Sequence, residues 1–184
     1  MSAAHGFDEV LAAARLGQPW ALTALFRSYA GPVAGYVRAR SPAEPDDLVS
    51  EIFTSVFTSL DRFSGGEADF RGWLFTIAQR RVVDDLRRRS RQVETTVYEP
   101  AQDTRQVESA EQSGLNRLGE HWVRTVLDRL VPDQREVLLL RILGDLTVDQ
   151  VAELVGKSPG AVKALQRRGL AAAEKIVRKE GVPP

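Results

Sequence analysis

The chain has 184 residues, with 25 Lys and Arg balanced by 25 Asp and Glu, and no cysteine. This length makes one ordinary domain or two small ones, and the missing cysteine excludes disulfides, thiolate metal sites and cysteine nucleophiles. Its two histidines, His5 and His121, are too far apart in sequence to suggest a metal cage or a Ser-His-Asp triad, so no metal, cofactor or catalytic residue is expected.

Residues 1–18 are assigned to an N-terminal helix or extension. Leu22, Leu25, Phe26, Tyr29, Val33, Tyr36 and Val37 then recur at steps of three and four, the mark of one apolar helix face. Gly31 and Pro32 interrupt that row and predict a kink. Two prolines between Ser41 and Pro45 mark a loop. Leu48, Ile52, Phe53, Val56, Phe57 and Leu60 define a second helix, with Asp46 and Asp47 at the positive end of its dipole. Ser64-Gly65-Gly66 breaks it. A third helix starts near Phe70 and follows Trp73, Leu74, Ile77, Ala78, Val82 and Leu86 into a run of arginines. No strand is predicted and no repeat is visible.

From about Gln92 to Gly114 the apolar pattern fades into Thr, Gln, Pro and acidic residues, which predicts a linker between two domains. Periodicity returns at Trp122, Val126, Leu127 and Leu130. Pro132 opens a helix bearing Val137, Leu138, Leu140 and Leu143, closed by Gly144.

Thr147-Val148-Asp149-Gln150 is a capping-box pattern. Small Ala152, a turn at Gly156, a Ser158 cap, Pro159 and inward Val162 and Leu165 follow, and together they fit a helix-turn-helix. Gly160, Lys163, Ala164 and Arg167 share one outward face suited to the DNA major groove, and Lys157, Ser158 and Arg168 flank it near phosphates. The competing reading is a helical hairpin with a solvated basic face. In the third helix, Arg71, Arg80, Arg81, Arg87, Arg88, Arg89 and Arg91 lie among Phe63, Phe70, Trp73 and Phe75. Cations beside rings suit single-stranded DNA; the other reading makes the rings core and the arginines solvated.

These motifs resemble those of the extracytoplasmic-function (ECF) sigma factors, a group of the sigma-70 family. Asp46-Asp47-Leu48-Val49-Ser50-Glu51-Ile52-Phe53 is similar to region 2.2, and Phe70-Arg71-Gly72-Trp73-Leu74 with Ile77-Ala78 and Val83-Asp84 to regions 2.3 and 2.4. Leu130-Val131-Pro132 with Arg135-Glu136-Val137-Leu138 is similar to region 4.1, and the helix-turn-helix to region 4.2.

The resemblance implies an all-α chain of two small helical domains: region 2 at residues 19–91, an acidic linker at 92–118, region 4 at 119–180 and a tail at 181–184. It implies a bacterial, cytoplasmic, non-catalytic subunit that takes no cofactor, makes no membrane contact and directs core RNA polymerase to promoters. Asp46, Asp47, Leu48, Glu51, Phe53 and Phe57 would meet the polymerase β′ subunit; the competing reading makes the acids partners of the helix dipole and the apolar residues core. Phe63, Phe70, Arg71, Trp73, Arg80, Arg81, Arg87 and Arg88 would open and hold the −10 element as single strands. Lys157, Ser158, Gly160, Lys163, Ala164, Arg167 and Arg168 would read the −35 element as duplex. Linker acids Glu94, Glu99, Asp103, Glu108 and Glu111 would imitate nucleic acid in a basic channel of the polymerase β and β′ subunits; the competing reading makes the linker a soluble tether. An anti-sigma factor is the further partner implied. The family often has Gln at the position of Ser50 and Asn at that of Arg80, which implies an altered polymerase contact and an altered −10 preference.

The alternative is a helix-turn-helix regulator that binds duplex DNA without being a polymerase subunit. Such a protein needs no arginine–aromatic helix, and no dimerisation heptads are visible. The neutral total also hides a pattern. Residues 71–91 carry +5 and residues 157–184 carry +5, while residues 1–70, 92–120 and 121–156 carry −4, −4 and −2. Weak DNA binding by the free chain is therefore expected, because acidic segments repel phosphate while basic helices attract it.

Overall fold

The computed structural model describes residues 5–40, 45–95 and 122–181, the side chains of 92–95 and 180 excepted. Those residues are helical, with no strand among them. An N-terminal unit contains α1 (Phe7–Arg15), α2 (Pro19–Arg40), α3 (Pro45–Thr58), one 3-10 turn (Leu60–Arg62) and α4 (Glu67–Thr95). A C-terminal unit contains α5 (residues 122–128), α6 (Pro132–Ile142), α7 (Val148–Val155) and α8 (Pro159–Glu180). No helix among the described residues is long and apolar enough to cross a membrane.

In the first unit α2 is the central helix. It buries Ala21, Leu25, Tyr29, Val33, Tyr36 and Val37, most of the row that the periodicity marks. Pro32 lies inside this helix without ending it. Its missing N–H weakens one turn, but the buried residues before and after it pack on the same core, and that packing overrides the local preference. The helix α4 starts three residues before Phe70, because the Asp69 carboxylate accepts the Gly66 N–H at 3.0 Å and caps an earlier turn. It also continues past the arginine run to Thr95. There Asp85, only 4% exposed, accepts from Arg88 and Arg89, each at 2.7 Å. These pairs at i+3 and i+4 brace the helix where like charges would otherwise repel.

In the second unit the turn chemistry follows the sequence closely. Thr147 Oγ1 accepts from Gln150 N at 3.2 Å, and Thr147 N donates to Gln150 Oε1 at 2.9 Å, the two halves of a capping box. Gly156 adopts φ 66° between α7 and α8, a left-handed turn that a side chain would oppose. Ser158 Oγ then accepts from Ala161 N at 3.2 Å and starts α8. Thr147→Ala removes one cap and is expected to lower stability by about 1 kcal/mol, read as a reduced denaturant midpoint with an unchanged slope.

The two units are docked. The buried core is continuous from Tyr36, Phe75 and Ala78 in the first to Val137, Leu140, Leu146 and Val151 in the second. Tyr36 hydroxyl donates to Glu136 Oε1 at 2.7 Å inside this seam. Burial, and then the Glu136 charge, push the Tyr36 phenol well above its ordinary value. Burial and Glu67 raise Tyr29 in the same direction. Each phenol is thus held protonated more firmly in the fold than in the unfolded chain. Their stabilisation is complete below the ordinary tyrosine pKa of about 10 and is lost as pH rises above it. The melting temperature should therefore fall steeply above about pH 10, and Tyr36→Phe should flatten part of that fall.

Candidate nucleic-acid interface

The helix-turn-helix presents the N-terminal half of α8. Gly160, Lys163, Arg167 and Arg168 are exposed and Ala164 is half-buried, while Val162 and Leu165 point into the core. Lys163 and Arg167, four residues apart, therefore stand above one another on an open face whose other members are small. Ser158 spends its hydroxyl on the cap. Lys157, predicted to flank this face, is half-buried and holds Asp133 at 2.8 Å, which ties the turn back to α6. The turn before α7 is fastened by Arg141, which donates to the Leu146 carbonyl.

In the first unit the rings divide. Phe63, Phe70 and Phe75 are core, at 6%, 1% and 1% exposure. Phe70 is the hub, with ring centroids of Phe7, Tyr29, Phe63 and Trp73 at 5.5, 5.2, 5.4 and 5.7 Å. Half-buried Trp73 lies at the edge of this cluster, 5.1 Å from Phe63. Of the rings predicted to meet DNA, Phe63 and Phe70 thus form a platform beneath the surface, and Trp73 alone keeps an open side. Arg80, Arg81, Arg87 and Arg88 are exposed along α4. Arg81 is steadied by Ser55 Oγ at 2.6 Å and Arg88 by Asp85, whereas Arg71 faces Asp145 of the second unit at 3.4 Å.

The loop before α4 has a support that the sequence did not reveal. Arg15, in the last turn of α1, donates to the carbonyls of Leu60 and Phe63. A single arginine at the end of a short helix carries no pattern that periodicity can detect. Phe26 was hidden for a different reason. It belongs to the apolar row of α2, yet it is 42% exposed, with its ring 4.8 Å from Phe53.

The acidic face of α3 presents Asp46, Asp47 and Glu51 to solvent. Leu48 and Phe53, predicted as polymerase contacts, are 6% and 3% exposed and turn inward, so they hold α3 on α2 and offer no surface. Phe57 is half-buried. Of the linker acids, Glu94 falls in the last turn of α4, and Glu99, Asp103, Glu108 and Glu111 lie outside the described residues.

Residues 25–92 match the family Sigma-70 region 2, and residues 120–172 match Sigma-70, region 4. The chain is 33% identical to the ECF RNA polymerase sigma factor BldN of Streptomyces coelicolor over 165 residues, covering 88% of this chain and 62% of BldN. It is 30% identical to the ECF RNA polymerase sigma factor SigD of Mycobacterium tuberculosis over 174 residues, covering 89% of this chain and 80% of SigD. Among solved structures, CnrH in complex with the cytosolic domain of CnrY superposes with a TM-score of 0.65 at 23% identity, covering 94% of this chain and 97% of that one. That likeness shows the fold: all-α, in two domains. With both family regions in order, and relatives of one kind spanning most of the chain, the protein belongs to the ECF RNA polymerase sigma factors of the sigma-70 family.

Proposed function

We propose that this chain is the promoter-specificity subunit of a bacterial RNA polymerase, acting in the cytoplasm and catalysing no bond change itself. Region 2, residues 19–91, binds core polymerase and opens the −10 element; region 4, residues 119–180, reads the −35 element. The observation that carries this reading is the pairing of two basic helices of different character on one chain. The exposed Lys163–Arg167 face of α8 follows a formed helix-turn-helix. The arginines of α4 lie beside a ring cluster with one open edge at Trp73. The first suits duplex and the second suits unpaired strands.

The exposed acids Asp46, Asp47 and Glu51 form the polymerase-facing surface on α3, with Phe57 and Phe26 at its apolar margin. An anti-sigma factor is the further partner, as NepR is for the sigma factor RpoE of Bartonella quintana. Glu51→Arg reverses one exposed charge without touching the core. It should lower affinity for core polymerase by about tenfold, the size of one rim charge contact turned repulsive, at unchanged melting temperature; retained affinity would mean that this face is merely solvated.

The test of the whole reading is run-off transcription with core polymerase on a library of random-sequence templates. The expected result is recovery of templates sharing two spaced elements and dependence of their transcripts on the chain. Absence of both core binding and promoter-directed transcripts would overturn it.

A further inference from the structure

The match to Sigma-70 region 2 begins at residue 25, so α1 lies ahead of it. Yet α1 is built into the ring cluster beside α4. Its inward residues Phe7, Val10, Leu11 and Ala14 are buried, and the Phe7 ring stands 5.5 Å from that of Phe70. Burial of Ala14 fixes the backbone next to Arg15. From there the Arg15 side chain crosses to the loop before α4. Its Nε donates to the Leu60 carbonyl at 3.4 Å, and its Nη2 donates to the Phe63 carbonyl.

Those two carbonyls bracket a weak piece of backbone. Leu60–Arg62 is a single 3-10 turn, and Phe63 leaves it extended, with ψ 138°. A turn this short holds itself poorly. Ser64, Gly65 and Gly66 follow, all exposed, and Gly65 takes φ 135°, so nothing in the segment stiffens it. Its downstream end is tied by Asp69, which accepts the Gly66 N–H at 3.0 Å, and by Tyr29, whose hydroxyl donates to Glu67 at 3.2 Å. Its upstream end is tied by Arg15. The residue pinned there carries the ring on which Trp73 lies: the two centroids are 5.1 Å apart and the planes 32° from parallel. A shift of the Phe63 backbone therefore moves the support of the one DNA-facing ring that keeps an open side.

We propose that Arg15 is a positioning residue for promoter opening: by holding the Leu60 and Phe63 carbonyls it sets the Phe63 ring, and through it the open face of Trp73, for an unpaired −10 base. The proposal rests on the reading of α4 as the −10 helix. Arg15 itself touches no base. Its effect is preorganisation: a ring fixed before the base arrives spares the complex the entropy of ordering the loop. Arginine suits the task, because its planar fork presents several donors and holds two carbonyls at once, whereas a lysine ammonium is a single point charge on a flexible stem. Its charge is also favourable at the C-terminal end of α1.

The test uses holoenzyme, core polymerase with the full chain, and a single-stranded oligonucleotide carrying the −10 element of a template recovered with the wild-type chain. Each of its bases is replaced in turn by an abasic site. With the wild-type chain one abasic site should weaken binding about tenfold, the size of one stacked base. Arg15→Ala should cut that penalty to about threefold or less, and run-off transcription from the duplex template should fall about tenfold with it. The melting temperature should hold, because Arg15 is exposed, and the salt dependence of binding should not change. Arg15→Lys, which still reaches one carbonyl, should recover part of the penalty. In a Trp73→Leu background Arg15→Ala should have no further effect on it, since the action passes through that ring.

A full abasic penalty in both Arg15 variants would overturn the proposal. A shallower salt dependence with the penalty intact would do the same, by making Arg15 a phosphate contact. So would an equal loss of affinity for intact and abasic strands with a lowered melting temperature, the mark of a merely structural role. A wild-type chain that shows neither the penalty nor promoter-directed transcripts fails as a sigma factor, whereas Arg15 variants that match an active wild type fail only this assignment, so the two failures are distinguishable.

Discussion

Replacing Lys163 and Arg167 together by alanine is expected to lower affinity for a −35 duplex about 10²- to 10³-fold while leaving core-polymerase binding unchanged. Each long cation that reaches a base edge contributes about 1–3 kcal/mol of discrimination, and both stand on the open face at the start of α8. Their neighbours Gly160 and Ala164 offer no donor, so no other side chain on that face substitutes for them. Neither cation has a stabilising role in the core, and the melting temperature should hold. Binding to wild-type and mismatched −35 duplexes at two salt concentrations checks the prediction, because base readers lose discrimination whereas phosphate contacts lose salt dependence. An equal fall in core-polymerase affinity would contradict the assignment of the two regions.

Phe70→Ala is expected to be the most damaging single change in region 2. Phe70 is 1% exposed and its ring meets four others. Truncating a buried phenylalanine costs about 3–5 kcal/mol, which for a domain of this size lowers the melting temperature by about 10 °C or more. The loop that Arg15 holds and the Trp73 edge both rest on this ring cluster, so promoter opening should fail with it. Phe70→Leu separates support from direct stacking. Leucine fills most of the space, so both stability and opening should largely return. Restored stability with opening still lost would mean that the ring itself holds a base.

The helix-turn-helix was legible residue by residue because its determinants are local. A cap, a left-handed glycine and a proline at the first helical position act within one turn, and Thr147, Gly156, Ser158 and Pro159 all take the expected parts. The acidic face of α3 was legible only in part. Exposure of Asp46 and Glu51 follows from charge, and helical period put Leu48 and Phe53 in the apolar row where they are buried, but it did not say that Phe26, in the apolar row of α2, stays half in water. The rings posed the same difficulty. A phenylalanine beside arginines reads equally as core or as stacking surface until its neighbours in space are known. Arg15 and Glu136 were missed because their partners lie 48 and 100 residues away at the farthest.

By itself the sequence determined the helices, the turn that joins α7 to α8, the membership in the sigma-factor family and the separation of charge into basic and acidic segments. The helices, the turn and the charge pattern depend on periodicity, backbone preference and composition, which act over a few residues; the family rests on the resemblance of short motifs standing in the right order. The tertiary structure decided which rings are platform and which remains open, that α2 runs through Pro32, and that the second unit lies on α4 with Glu136 sealed between Tyr36, Arg40 and Gln79. Those outcomes depend on which faces meet, and burial is a property of two surfaces together; neither surface carries it alone.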